Sequence, residues 1–338
     1  MTGNILVKGG KLVLPFGIFE ADILVEEGKI SAIGKDLKGD NVFDAQGLLV
    51  FPGVIDEHVH MREPGLTYKD DFTNGTKAAA AGGVTTVLEM PNTKPPVESA
   101  ERLLEKADLL KSKAYVDFGL YGVIHNMNAD KFEEILQAGA IGFKIFLGPT
   151  TGNIPSPDDG TLYEIMEKSN KTGAVLAFHA ENGDLVRYFI ERVRCRKDPA
   201  AHTDSRPSIC EEDAIQKLML FSRETGGKAH IVHMSAKGGV WLLRKARNEG
   251  INMTGETNPQ YLLLTRKDYG KFGTAIKVNP PVRDEEDQEE LWRAVNDGTI
   301  TALASDHAPH SREEKEGDVW TSASGFLGVQ TLFPLLLD

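Results

Sequence analysis

From residue 54 onward, short apolar runs of strand length alternate with longer stretches in which apolar residues recur at helical period. The runs VIDEHVH (54–60), GVTTVLEM (83–90), VDFGLYGVI (116–124), IGFKIFL (141–147), AVLAFHA (174–180), AHIVHMS (229–235), AIKVNPP (275–281) and TALASDHA (301–308) read as strands. Between them the helical period predicts helices over 70–82, 97–112, 128–138, 160–173, 211–226, 236–249 and 284–297. Eight strands, each followed by a helix or a long crossing segment, predict an α/β fold: a (β/α)8 TIM-like barrel. An open doubly wound sheet shows the same alternation, but it usually carries a Gly-rich phosphate loop after its first strand, and none is evident. Residues 1–50 are patterned differently. ILVKGGKLVL, ADILVEEGKISAIG and NVFDAQGLLV are β-rich runs broken by Gly, Asp and Asn, and predict the N-terminal part of a small β-sandwich domain. The expected division is therefore 1–50 and 51–338.

Composition narrows the partners. The 338 residues are 41% apolar and carry a net charge of -12, which speaks against nucleic acid or an anionic membrane surface. The same charge speaks against a small anionic substrate unless local cations gather it. No leader peptide and no apolar run of membrane-spanning length is evident, and the two cysteines, Cys195 and Cys210, read as free thiols in a reducing cytoplasm.

The chemistry lies at strand ends. His58, His60, Lys144, His179, His233 and Asp306 all fall at or near the C-terminal ends of predicted strands, the face on which barrel active sites sit. The H-V-H spacing puts both imidazoles on one side of a strand, where they suit one divalent ion. Lys144 lies within an apolar strand. It is either an ion-paired structural lysine or an amine that carries carbon dioxide as a carbamate, an anionic ligand. His179 and His233 offer two further nitrogens, while His230 and His307 read as packing residues turned away. Asp306 is either a turn residue or a carboxylate that touches metal and takes a proton from water. Paired ions would activate water and polarise a carbonyl, which suits hydrolysis of an amide, imide or ester. No GxSxG elbow competes.

The ordered set HVHMREPG (58–65), EMPNTKPP (89–96), GFKIF (142–146), HAEN (179–182), HMSAK (233–237), VNPPVR (278–283) and SDHAPHSREEK (305–315) resembles the cyclic amidohydrolases, and among them dihydroorotase. The resemblance implies two divalent metal ions, zinc in most relatives. His58 and His60 would bind the first ion, His179 and His233 the second, and N6-carboxylated Lys144 would bridge them. Asp306 would bind the first ion and act as general base and proton shuttle. Arg62, Asn92 and His310 would hold the substrate carboxylate, and Asn279 would contact the ring. The implied reaction is the reversible opening of (S)-dihydroorotate to N-carbamoyl-L-aspartate by a hydroxide held between the metals, a step of pyrimidine biosynthesis. Bottom-up alternatives to these substrate contacts are a salt bridge of Arg62 with Glu63 or Asp70, and a turn role for Asn92. Gln260 in GETNPQYLLLT and the tail 322–338 are similar to hydantoinases, dihydropyrimidinases and allantoinases, which keeps those activities as alternatives. A non-catalytic scaffold relative is the minor reading, because no proposed ligand is missing. Relatives also continue beyond the PLLL helix with segments that complete the small domain, so the chain is expected to be C-terminally incomplete. The expected partner is a small cyclic amide, and the expected assembly a homo-oligomer.

Overall fold

The computed structural model describes residues 3–150, 152 and 154–337. It divides into two compact units, Met1–Val54 and Ile55–Asp338.

The first unit is a five-stranded sheet of β1 (Ile5–Leu14), β2 (Gly17–Glu26), β3 (Lys29–Gly34), β4 (Asn41–Asp44) and β5 (Leu49–Val50). β1 pairs antiparallel with β2, and β2 with β3; β4 and β5 both add parallel to β1. A register shift between Val7 and Gly10 bends β1 at Gly9, where φ is 72°. The Asp22 carboxylate accepts the Gly9 N–H at 2.8 Å, which satisfies a backbone group the bend would leave unpaired, and also the Leu37 N–H at 3.1 Å in the loop after β3.

The second unit is the barrel. Its strands are β6 (Val54–Val59), β7 (Val84–Glu89), β8 (Asp117–Leu120) continued by β9 (Gly122–Val123), β10 (Gly142–Phe146), β11 (Val175–His179), β12 (Lys228–Ile231), β13 (Met253–Thr257) and β14 (Ala302–Leu303). They are ordered sequentially in two sheets, β6-β7-β8 and β9 through β14. The recorded pairings in these sheets are parallel. The ring closes where Val59 bridges His307 and His60 N–H donates to His307 C=O at 2.7 Å. Tyr121 N–H, donating to Glu89 C=O at 3.1 Å, joins the two halves of the third strand. The core is apolar and tightly filled, with Phe72, Phe132, Phe143 and Phe178 wholly buried.

Every predicted helical stretch contains a helix, for example Phe72–Ala81, Ala100–Lys111, Asp159–Thr172 and Ser208–Thr225. Caps explain several starts: the side chains of Asp71, Ser99 and Asp158 each accept an N–H from the first turn of the helix that follows. One predicted strand is wrong. AIKVNPP forms a 3₁₀ turn, Gly273–Ile276, followed by a loop, and the seventh barrel strand is β13, MTGET. The alternating pattern at 275–278 reflects burial of Ile276 and Val278 by a loop that runs over the barrel end, where Val278 C=O accepts from His202 Nε2 at 2.8 Å. β13 escapes an apolar pattern because Glu256 is buried against ionic partners rather than hydrocarbon. The helix Gly183–Val193 is likewise absent from the expectation, although its residues carry a clear amphipathic period; it buries only Val186.

Candidate active site at the C-terminal ends of the barrel strands

The six predicted metal-ligating residues converge on one cleft. His58 and His60 come from the end of β6, Lys144 from β10, His179 from the end of β11, His233 from just beyond β12, and Asp306 from just beyond β14. The close approach of strand ends from all round the barrel brings together residues as distant in sequence as His58 and Asp306.

Their hydrogen bonds fix which ring nitrogens face inward. Glu256 Oε1 lies 2.6 Å from His58 Nδ1, so His58 carries its proton there and turns the Nε2 lone pair to the cleft. Asn92 Oδ1 lies 2.7 Å from His60 Nδ1 and does the same for His60. Glu181 Oε2 lies 2.9 Å from His179 Nε2, which leaves the His179 Nδ1 lone pair 3.0 Å from His233 Nε2. Burial first, and then the charge of Lys144, hold His58 well below the usual histidine range. His60, His179 and His233 are lowered as well, with burial the main cause in each. Neutral imidazole lone pairs therefore face the Asp306 carboxylate, with Oδ1 3.3 Å from His58 Nε2 and 3.2 Å from His60 Nε2. Lone pairs facing a carboxylate at that distance repel unless a cation lies between them. His58, His60 and Asp306 thus fit a divalent ion on their own chemistry. Burial would raise Asp306, but its surroundings, the Lys144 cation among them, hold it below the usual carboxylate range, so it stays ionised.

Lys144 is 1% exposed, with its Nζ 3.5 Å from His58 Nε2. Among the described residues no carboxylate lies within salt-bridge distance of it, which removes the ion-paired structural reading. Burial lowers its amine to about 8, against the opposing pull of Glu256 and Asp306. An amine that carried carbon dioxide would exchange this uncompensated cation for an anion beside two histidine pairs.

Three of the residues at this end of the barrel sit in left-handed backbone: Arg62 at φ 62°, His233 at φ 43° and Asp306 at φ 46°. Such conformations cost roughly 1–3 kcal/mol each for non-glycine residues and persist only where the surroundings enforce them. The enforcing bonds are visible. Asp56 Oδ1 accepts the Ser305 N–H at 3.0 Å, which pins the end of β14 to β6. Glu256 Oε1 accepts the His233 N–H at 3.1 Å. Glu89, paired in the interior with Lys106 at 3.0 Å, accepts the Met61 N–H at 2.8 Å and so shapes the turn that presents Arg62. At Gly65, φ is 83° and a side chain would meet Lys94 C=O at 2.1 Å, so only glycine lets the REPG turn lie against the MPNTKPP loop.

Of the predicted substrate contacts, Arg62, Asn92 and Asn279 line the cleft. His310 does not appear among its lining residues. Its Nδ1 faces Lys69 Nζ at 3.1 Å, so Nδ1 accepts and Nε2–H donates to Ser324 C=O at 3.1 Å. His310 thus lies behind Arg62, 3.3 Å from its Nη2, and burial together with Arg62 lowers it to about 4. Arg62 itself is 3% exposed. Its Nε donates to Pro309 C=O at 3.0 Å, and among the described residues no carboxylate pairs with it. The two carboxylates that would have explained it structurally are engaged elsewhere: Glu63 with Lys113, and Asp70 with His307 at 3.1 Å. Asn92 spends its Oδ1 on His60, and Asn279 Oδ1 is buried without a hydrogen-bond partner among the described residues.

Sequence reasoning missed the supporting carboxylates. Glu181 is held by Arg206, whose other Nη donates to Pro149 C=O at 2.8 Å in the loop beside the cleft. Burial would raise Glu181, but Arg206 and His179 bring it down to about 2. The HAEN motif contained this residue, and its spacing of two from His179 was the available signal. Glu256 had no signal, because its strand was not recognised.

Comparison with known proteins finds relatives over almost the whole chain. Residues 49–329 match the amidohydrolase family. An allantoinase of Deinococcus radiodurans is 37% identical over 345 aligned positions, covering all of this chain and 77% of the relative. A dihydroorotase of Methanosarcina mazei is 36% identical over 346 positions, covering 99% of this chain and 75% of the relative. The solved structure of an L-hydantoinase (dihydropyrimidinase) from Arthrobacter aurescens superposes with a TM-score of 0.96 at 37% identity, over 99% of this chain and 77% of that one. The chain belongs to the amidohydrolase family.

Proposed function

We propose that this protein is a metal-dependent hydrolase of cyclic amides. The observation that carries the reading is the convergence of neutral imidazole lone pairs, a buried lysine without a carboxylate partner and an ionised Asp306 in one cleft. His58, His60 and Asp306 would hold one divalent ion, His179 and His233 a second, and Lys144, as its carbamate, would bridge them. Zinc suits this set of nitrogen and oxygen donors. When bound, such ions lower the pKa of water and polarise a carbonyl oxygen. The chain's own residues supply the rest. Asp306 accepts the proton of the attacking water and returns it to the ring nitrogen as the amide C–N bond breaks and a C–O bond forms. Asn279 offers a side-chain amide to the ring. The buried setting keeps Asp306 and the histidines from rearranging as charge develops.

The substrate reading that the relatives favour is a five-membered cyclic ureide, a hydantoin or its ureido derivative allantoin. Allantoinases and an L-hydantoinase match this chain at 37–40% identity. A second reading rests on one residue. Arg62 is a buried guanidinium at the cleft with no carboxylate of its own among the described residues, an arrangement suited to an anionic substituent such as the carboxylate of dihydroorotate. A spectrophotometric panel of allantoin, 5-substituted hydantoins, dihydrouracil and dihydroorotate tests both. Hydrolysis of none by metal-loaded protein would remove the enzymatic reading, and the highest kcat/KM decides between the two substrates.

A further inference from the structure

We infer that Glu256 is a positioning residue that ties the two halves of the metal centre together, one oxygen holding one ligand of each ion. The inference rests on the two-metal reading above. Glu256 Oε1 accepts the Nδ1–H of His58 at 2.6 Å and the backbone N–H of His233 at 3.1 Å. His58 belongs to the first half of the centre and His233 to the second. The bond to His58 fixes its tautomer and strengthens Nε2 as a donor. The bond to His233 holds a residue whose φ of 43° is otherwise disfavoured, and so fixes where its ring enters the cleft.

The carboxylate is itself anchored. The backbone C=O of Glu256 accepts the Met234 N–H at 2.8 Å, so its strand is registered against the very segment that carries His233. Its second oxygen, Oε2, lies 3.4 Å from His230 Nε2. His230 in turn bonds Thr254 Oγ1 through Nδ1 at 2.8 Å and lies 3.4 Å from Glu57. Oε1 is therefore held from beneath and cannot swing toward one ligand without leaving the other. Glu181 makes the natural contrast, because among the predicted ligands it touches only His179.

Stepwise cobalt(II) titration of metal-depleted protein, followed by ligand-field absorption and by competition with a chelator, separates these roles. Wild type should show two binding steps. Glu256→Gln should weaken both steps by roughly 10–100-fold each, and Glu256→Asp, one methylene shorter, should not restore them. Glu181→Gln should weaken only one step. An effect of Glu256→Gln on a single step, or on neither, overturns the inference. Wild type that binds no cobalt would instead overturn the metal reading itself. If the Glu256 variants do not fold, nitrogen-15 NMR of the wild-type histidine rings decides the same question. His58 must be the Nδ1–H tautomer with a strongly downfield proton, and an Nε2–H tautomer contradicts the role of Glu256.

Discussion

Replacing Arg62 with Met keeps most of the aliphatic stem and removes the guanidinium. The size of the effect follows from what that group touches. Its Nε spends one hydrogen bond on Pro309 C=O, and no carboxylate among the described residues neutralises it. Its Nη2 also lies 3.3 Å from His310 Nε2, and the remaining N–H donors of the two Nη groups can address a substrate. A hydrogen bond from a charged donor contributes about 1.5–3 kcal/mol, so two of them to a carboxylate substituent make about 3–4 kcal/mol after the usual losses. That corresponds to roughly 10²–10³-fold in kcat/KM for dihydroorotate. A neutral acceptor, such as the ureido carbonyl of allantoin, takes one such bond and would lose about 1.5 kcal/mol, or roughly ten-fold. Thermal stability should change by less than about 1–2 kcal/mol, because Arg62→Met deprives only the Pro309 carbonyl of a backbone-directed donor. The assay is steady-state hydrolysis of one anionic and one neutral ring by both proteins at matched metal content. Equal losses on the two rings would refute the role of Arg62 as the anchor of an anionic substituent.

Asp306→Asn should lower kcat by roughly 10²–10⁴-fold, because the amide cannot accept and return a proton; a variant with near-normal turnover would remove the residue from its role. A pH dependence of stability should trace to His230. Burial would lower this histidine, but the carboxylates of Glu256 and Glu57 raise it to about 9. Its folded-state value thus exceeds the unfolded value of about 6.5, so the native state binds the extra proton between them. The resulting stability, on the order of 3 kcal/mol, is fully present below pH about 6.5 and is lost as pH rises through about 9. Urea unfolding at pH 6, 7.5 and 9 should show this decline in wild type relative to His230→Gln, and parallel pH profiles would contradict it.

Much of the barrel was legible because most of its strands end in apolar runs with a polar residue placed on the cleft side. HVH combines a core pattern with two misplaced polar residues and FKIF, FHA and VHM with one each, and those residues meet in space. Two features resisted the same reading. β13 has polar interior residues that are compensated by other strands, so its hydrophobic pattern is erased by contacts no local window contains. The loop carrying Asn279 shows the reverse: apolar residues buried by tertiary packing mimic a strand. The left-handed backbone at Arg62, His233 and Asp306 was equally invisible, since none is a glycine and each is held by a distant carboxylate or by its loop. His310 illustrates a different gap. Its place in the motif puts it near Arg62, but only the orientation of its ring, set by Lys69 and Ser324, shows that it stands behind the guanidinium.

The metal centre is the feature on which the proposed chemistry depends, and elemental analysis of wild type and Lys144→Ala after reconstitution with zinc and bicarbonate tests it. Wild type should retain about two divalent ions per chain, and Lys144→Ala should lose most of that metal together with activity, with partial recovery on adding a short carboxylic acid to replace the carbamate. Wild type holding less than about one ion per chain, or Lys144→Ala holding as much metal as wild type, would contradict a carbamate-bridged pair of ions.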